Sequence, residues 1–286
     1  MVVTVPPSPV CPHQVDGRYF GRSDTVSYRL SDPEIVRYLQ RRTSWSTAAT
    51  RMLDELETDD PGSDADRDVG RLYLVAQPVL AARDSAVEFL AEPERLLPVV
   101  RRESGYVGRE LDLDPDLSSL SYYTPTAEGA AYRSRGRDDL SKETHRLEVE
   151  LREDGGIRVL SGRMTAQRPE RDPSKIILDQ RVVAFAHRLV AWAVDVSSQI
   201  NYGATWALGI RATGLKDGIS AKLAPQFGGF DAPPYTGTSY TATTEAVVAE
   251  LTDNPQAVVQ RLVGKLIRSL GATTFYQREL GLNQAP

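Results

Sequence analysis

The sequence predicts an α+β protein, on three observations. Residues 145–164 alternate as a hairpin, with Leu147, Val149 and Leu151 facing Ile157, Val159 and Ser161 across a Gly155-Gly156 turn. From about Asp179 to Ile200 the apolar residues cover more than one helical stripe, which predicts a central helix packed on two sides. Pro255 opens a last amphipathic helix through Val258, Val259, Leu262, Leu266, Ile267 and Leu270, and Gly271 stops it. The expected architecture is a short β-ribbon and capped helix, then a larger α+β domain with antiparallel hairpins and a central buried helix.

The β-branched run "VVTVPP" reads as a strand over residues 2–6, and the prolines after it carry an extended loop. In "RYFGRSDTVSYRL" the alternation predicts two short strands around Gly21 to Asp24. Ser31, Asp32, Pro33 and Glu34 spell a capping box with proline in the first turn, so a helix is expected from about Asp32 to Arg42. Ile35, Val36 and Leu39 share one of its faces, and Arg37, Arg41 and Arg42 crowd its end, where cations offset the dipole. A second helix over Ser46 to Leu56 runs into the acidic, apolar-poor stretch "ETDDPGSDADRDVG", read as a linker or loop. A strand within "RLYLVAQPVL", a helix near Pro93 to Arg102, a strand in "TWALGIRATGL" and mixed signals in "YTATTEAVVAEL" complete the pattern. The division that follows is residues 1–42, a helix and acidic linker at 43–70, and an α+β domain at 71–286.

Composition narrows the function. Of the 286 residues 41% are apolar, enough for one large or two ordinary domains, and the net charge of −5 excludes nucleic-acid binding through the overall field, leaving a local basic face. Cys11 is the only cysteine, so no internal disulfide and no cysteine-rich zinc site can form, and a reducing cytoplasm is expected. No stretch is apolar over membrane-spanning length, and no membrane partner is expected. Arginine outnumbers lysine 29 to 5, which reads as a GC-rich bacterial genome.

Chemistry-bearing motifs are scarce. No phosphate loop, GxGxxG or GxSxG is present, and Gly264-Lys265 sits inside an amphipathic helix. Cys11 beside His13, the isolated His145 and His187, and the alternating Glu148 and Glu150 all have bland readings: a chance pair, satisfied histidines and a solvated strand face. The acidic cluster lacks the closing glutamate of a calcium loop. No catalytic residue, metal or cofactor is therefore assigned.

The segments "VVTVPPSP", "GRYFGRSDT" and "LSDPEIVRYL" together resemble the C-terminal end of a bacterial Schlafen-type AlbA-2 domain, over residues 2–42. Tyr19, Arg22 and Thr25 fall on the aromatic, arginine and threonine positions of that domain's ribbon, while Ser23 and Asp24 replace the usual glycine. The remainder resembles the C-terminal extension of actinobacterial AlbA-2 proteins described as ATP-binding. The resemblance implies an acidic nuclease site upstream of the ribbon, around an "E…LEFK" segment, and nothing like it precedes "VVTVPP". A shortened chain, or a partner strand from another molecule, is the expectation.

Two readings of the ribbon stand side by side. In one, Arg18, Arg22 and Arg29 contact phosphates while Tyr19, Phe20 and Tyr28 stack on bases, with Thr25 in the same ribbon. In the other, the aromatics fill a small core and the arginines pair with Asp16, Asp24 and Asp32. The expected function is non-enzymatic association with RNA or DNA through Arg18, Tyr19, Arg22, Thr25 and Arg29. The alternative is a partner-binding regulatory or sensory domain in a bacterial regulatory or defence assembly, with a protein partner or a second copy joined through the N-terminal strand.

Overall fold

The computed structural model describes residues 14–23, 26–36, 47–60, 69–79, 81, 84–101, 117, 120–134, 146–167, 175–224 and 234–282. Its first element is a three-stranded antiparallel ribbon of β1 (Gln14–Val15), β2 (Arg18–Ser23) and β3 (Val26–Arg29). Asp16 and Gly17 take φ of 49° and 74° between the paired Val15 and Arg18, the two-residue turn whose twist suits a hairpin. The two short strands expected around Gly21 to Asp24 form, with the reversal shifted: Gly21 lies inside β2 opposite Tyr28, and Ser23 is the last residue of β2, paired with Val26. A Cβ at Gly21 would meet Leu30 Cδ2 and the Tyr28 ring at 2.8 Å, so glycine lets these two side chains close over the strand. The glutamate half of the capping box forms. The Ser31 N–H and hydroxyl both donate to Glu34 Oε2, at 2.8 and 2.7 Å, and residues 32–36 are helical. The strand expected at residues 2–6 and the trio Arg37, Arg41 and Arg42 lie outside the described residues.

Helix α1 (Ala48–Thr58) precedes a seven-stranded sheet. The sheet takes in β4 (Leu72–Pro78), β5 (Leu120–Thr126), β6 (Gly129–Ser134), β7 (Leu147–Arg152), β8 (Ile157–Ser161), β11 (Thr205–Ala212) and β13 (Tyr240–Val247). Their order is β13-β11-β4-β8-β7-β6-β5, every neighbour antiparallel. The β7–β8 hairpin has the expected register, with Leu147, Val149 and Leu151 opposite Ser161, Val159 and Ile157. Its loop closes on Gly155 at φ +81°, and Asp154 Oδ1 accepts from Gly156 N–H at 2.9 Å. A smaller sheet holds β9 (Thr165–Gln167), β10 (Lys175–Ile177) and β12 (Ile219–Ser220).

Strand β4 explains the layering. Its run "LYLVAQP" is apolar on both faces, so each face must be covered. Leu72, Leu74 and Ala76 join Val159, Ile157, Leu208 and Ile210 under the helices that follow the sheet. Short helices α2 (Val87–Leu90) and α3 (Pro93–Arg101) lie on that side with α4 (Asp179–Gln199), α5 (Val248–Asp253) and α6 (Pro255–Ser269). Helix α4 buries Val182, Phe185, Leu189, Trp192 and Val196 between the sheet and α6, as its multi-stripe pattern predicts. Helix α6 ends as expected: Gly271 takes φ +70°, its N–H donates to Arg268 O and that of Ala272 to Ile267 O, both at 3.0 Å.

The other face of β4 is covered by α1. Ala49, Met52, Leu53 and Leu56 pack on Tyr73, Val75, Leu160 and Ala207. The sequence groups residues 43–70 as helix and linker; the described residues 47–60 of that segment instead lie against the sheet, and Asp60 is 3% exposed. Asp60 sits 3.2 Å from the Arg71 guanidinium and accepts from the Tyr73 hydroxyl at 2.9 Å. Arg158 reaches Glu55 at 2.6 Å, and Arg211 reaches Asp54 at 2.7 Å and Glu57 at 2.5 Å, so ion pairs ring the apolar seam. Among the described residues no helix is long and apolar enough to cross a membrane.

Candidate functional site

Alternation along β2 and the β2–β3 register place Arg18, Phe20 and Arg29 on one face of the ribbon, with Phe20 directly opposite Arg29. Arg18 and Arg29 are exposed, and Phe20 is 46% exposed. Among the described residues neither guanidinium makes an ion pair, so pairing with Asp16 or Asp32 does not occur, and Asp24 lies outside the described residues. Tyr19 and Tyr28 occupy the opposite face, where Tyr28 and the buried Leu30 lie over Gly21. The structure thus splits the aromatics, one ring standing with two cations and two backing the ribbon. Arg22 pairs with Ser27 through the backbone, its side chain lies outside the described residues, and Thr25 does so entirely. A face with two guanidiniums that make no ion pair among the described residues, set around an exposed ring, can donate to phosphate oxygens and stack a base.

The other residues singled out by sequence have structural employment. His187 is buried, and its Nε2 donates to the Glu279 carbonyl at 2.9 Å; burial lowers its pKa to about 4, so the ring is neutral. Glu148 and Glu150 do not line a merely solvated face. Arg133 and Arg146 reach Glu148 at 3.0 and 2.7 Å, and Thr126 donates to Glu150 at 3.0 Å. Burial raises the Glu148 pKa, and the two guanidiniums outweigh it, holding the carboxyl below its ordinary value. Cys11, His13 and His145 lie outside the described residues. A recess of about 930 Å³ beside α1 is lined by Arg51, Glu55, Asp59, Glu128, Arg152 and Arg158 among others. Its charges largely satisfy one another: Arg152 pairs with Glu128, and Arg158 with Glu55 and Asp59.

One buried cluster escaped sequence reasoning because its members are far apart in the chain. Asp179 opens α4, its Oδ2 accepts from the Ser220 hydroxyl at 2.5 Å, and Tyr276 lies beside it. Asp179 and Ser220 are fully buried and Tyr276 is 2% exposed, so the Asp179–Ser220 bond ties α4 to β12 in the interior, with the C-terminal turn packed against it. Burial, only partly offset by hydrogen bonds from Ser220 and the backbone, raises the Asp179 pKa to about 6. The folded protein therefore holds this proton more tightly than the unfolded chain does. Stability from this group is fullest below about pH 4, falls as pH rises through about 6 and is level above. Asp179→Asn is expected to be more stable than wild type at pH 7.5 by roughly 3 kcal/mol, at about 1.36 kcal/mol per unit of pKa. Urea unfolding at pH 4 and 7.5 checks this, and the gain should shrink at the lower pH; a variant weaker at both values would show that the ionised carboxylate supports the fold.

No family model, no curated protein and no solved structure matches this chain.

Proposed function

We propose that this chain is a non-enzymatic nucleic-acid-associated protein of the bacterial cytoplasm, with the N-terminal ribbon as its contact surface. The supporting observation is the exposed face on which Arg18 and Arg29 flank Phe20 without carboxylate partners among the described residues. Guanidiniums tied to nearby carboxylates serve the fold; unpaired ones on a ribbon leave their donors to a ligand. The resemblance of residues 2–42 to the end of a Schlafen-type AlbA-2 domain supports the same reading, with Arg22 and Thr25 as further contacts and no acidic nuclease site assigned.

A double substitution, Arg18→Ala with Arg29→Ala, tests it. Binding to a labelled single-stranded oligonucleotide should weaken by about tenfold or more whatever the base sequence, since phosphate contacts carry little sequence information. The thermal midpoint should stay where it is, because the two side chains are exposed and make no ion pair among the described residues. A fallen midpoint with unchanged binding would assign the arginines to the fold instead.

A further inference from the structure

Strand β13 is one edge of the large sheet, and its backbone has a definite parity. Val79 N–H donates to Thr205 O at 2.8 Å and Thr213 N–H to Arg71 O at 2.9 Å, so the odd-numbered residues of β11 address β4. The even-numbered ones address β13, as the 3.0 Å bond from Val248 N–H to Ala204 O shows. With Trp206 opposite Ala246 and Leu208 opposite Thr244, the even residues of β13 bond to β11. Thr241, Thr243, Glu245 and Val247 therefore turn their N–H and C=O groups away from the sheet. Among the described residues no strand pairs with that row, and Arg261 Nη2 donates to Glu245 O at 3.2 Å.

Beside this edge runs α6, with Arg261, Lys265 and Arg268 spaced i, i+4, i+7 along its exposed face. A recess of about 510 Å³ separates the two, lined by Thr243, Thr244, Arg261, Lys265, Arg268 and Leu280 among others. Arg261 is engaged, with Glu250 at 2.6 Å and Thr244 at 2.8 Å. Among the described residues Lys265 and Arg268 make no ion pair.

We propose that this groove is a strand-addition site for an extended acidic segment of a partner protein. The outward amides and carbonyls of Thr241 and Thr243 supply the rungs, and alternate side chains of the incoming strand face α6. Carboxylates at those alternate positions meet Lys265 and Arg268. A second copy of this chain would bring the same cations together across a two-fold axis. A nucleic acid would match the cations but set phosphate oxygens against the outward carbonyls. The site is distinct from the ribbon and does not depend on what the ribbon binds.

The probe is a fluorescein-labelled octapeptide of alternating threonine and glutamate, titrated with the full chain by anisotropy at low ionic strength. Saturable binding is expected, with a loss of about tenfold or more in Lys265→Glu/Arg268→Glu, checked to melt as wild type does. N-methylation of alternate peptide amides in either phase should show one phase abolishing binding, and an alternating threonine-lysine peptide should not bind. Arg18→Ala/Arg29→Ala should bind the peptide as wild type does. Absence of saturable binding, or indifference to N-methylation in both phases, overturns the proposal. So does displacement of the peptide by an oligonucleotide whose own binding is lost in Lys265→Glu/Arg268→Glu, or a wild-type dimer that this variant dissolves.

Discussion

Replacing Asp60 with alanine is expected to destabilise the protein by about 3–5 kcal/mol, the cost of leaving a buried charge without its partner. Asp60 and the Arg71 guanidinium are both withdrawn from water, with side chains 0% and 4% exposed, and face each other at 3.2 Å. The Tyr73 hydroxyl donates to the same carboxylate, and burial together with that carboxylate drives the tyrosine pKa far upward. Alanine at position 60 removes the countercharge and an acceptor at once. The isosteric Asp60→Asn keeps the acceptor and should still lose most of that stability, because the cation stays buried. Urea unfolding of both variants measures the effect, and losses below about 1 kcal/mol would mean that water replaces the carboxylate at no great cost.

A fragment of residues 71–286 is expected not to fold to a monomer. Without α1 the sheet face formed by Tyr73, Val75, Leu160 and Ala207 is bare. Burial of Met52, Leu53 and Leu56 contributes roughly 1.5–3 kcal/mol each, a sum that rivals the whole stability of a typical domain. Arg158 and Arg211 lose Glu55, Asp54 and Glu57 in the same cut, and Arg71 loses Asp60. The fragment should bind a hydrophobic dye, elute as aggregate and lack a cooperative melt, whereas residues 47–286 should melt sharply. A sharp melt for the shorter fragment would make α1 an accessory.

What could be read from the sequence, and what could not, follows the range of the interactions. The α6 stop at Gly271, the Glu34 cap on the Ser31 N–H and the β7–β8 register all depend on residues a few positions apart, and each forms where its pattern predicts. The Asp16-Gly17 turn is equally local and joins β1 to β2, while the β2–β3 reversal falls just beyond Gly21, which lies inside the strand opposite Tyr28. Asp60 looked like part of a solvated acidic run because nothing nearby in sequence announces Arg71 as a buried partner. The Asp179, Ser220 and Tyr276 cluster joins residues 41 apart and more, and no spacing rule anticipates it. At the ribbon the residue types were legible, but only strand register divides Arg18, Phe20 and Arg29 from Tyr19 and Tyr28.

The salt dependence of binding by the wild-type chain decides whether the ribbon grips phosphates. Anisotropy of a labelled single-stranded oligonucleotide, titrated from low to near-physiological salt, yields the slope of log affinity against log salt. Each phosphate neutralised on a single strand contributes about −0.7, so Arg18 and Arg29 together predict roughly −1.4, steeper if Arg22 joins them. Saturable binding with such a slope, flattened toward zero in Arg18→Ala/Arg29→Ala, is the expected result. An absence of binding even at low salt, or a slope that the double variant leaves unchanged, would contradict the assignment of nucleic-acid contact to this face.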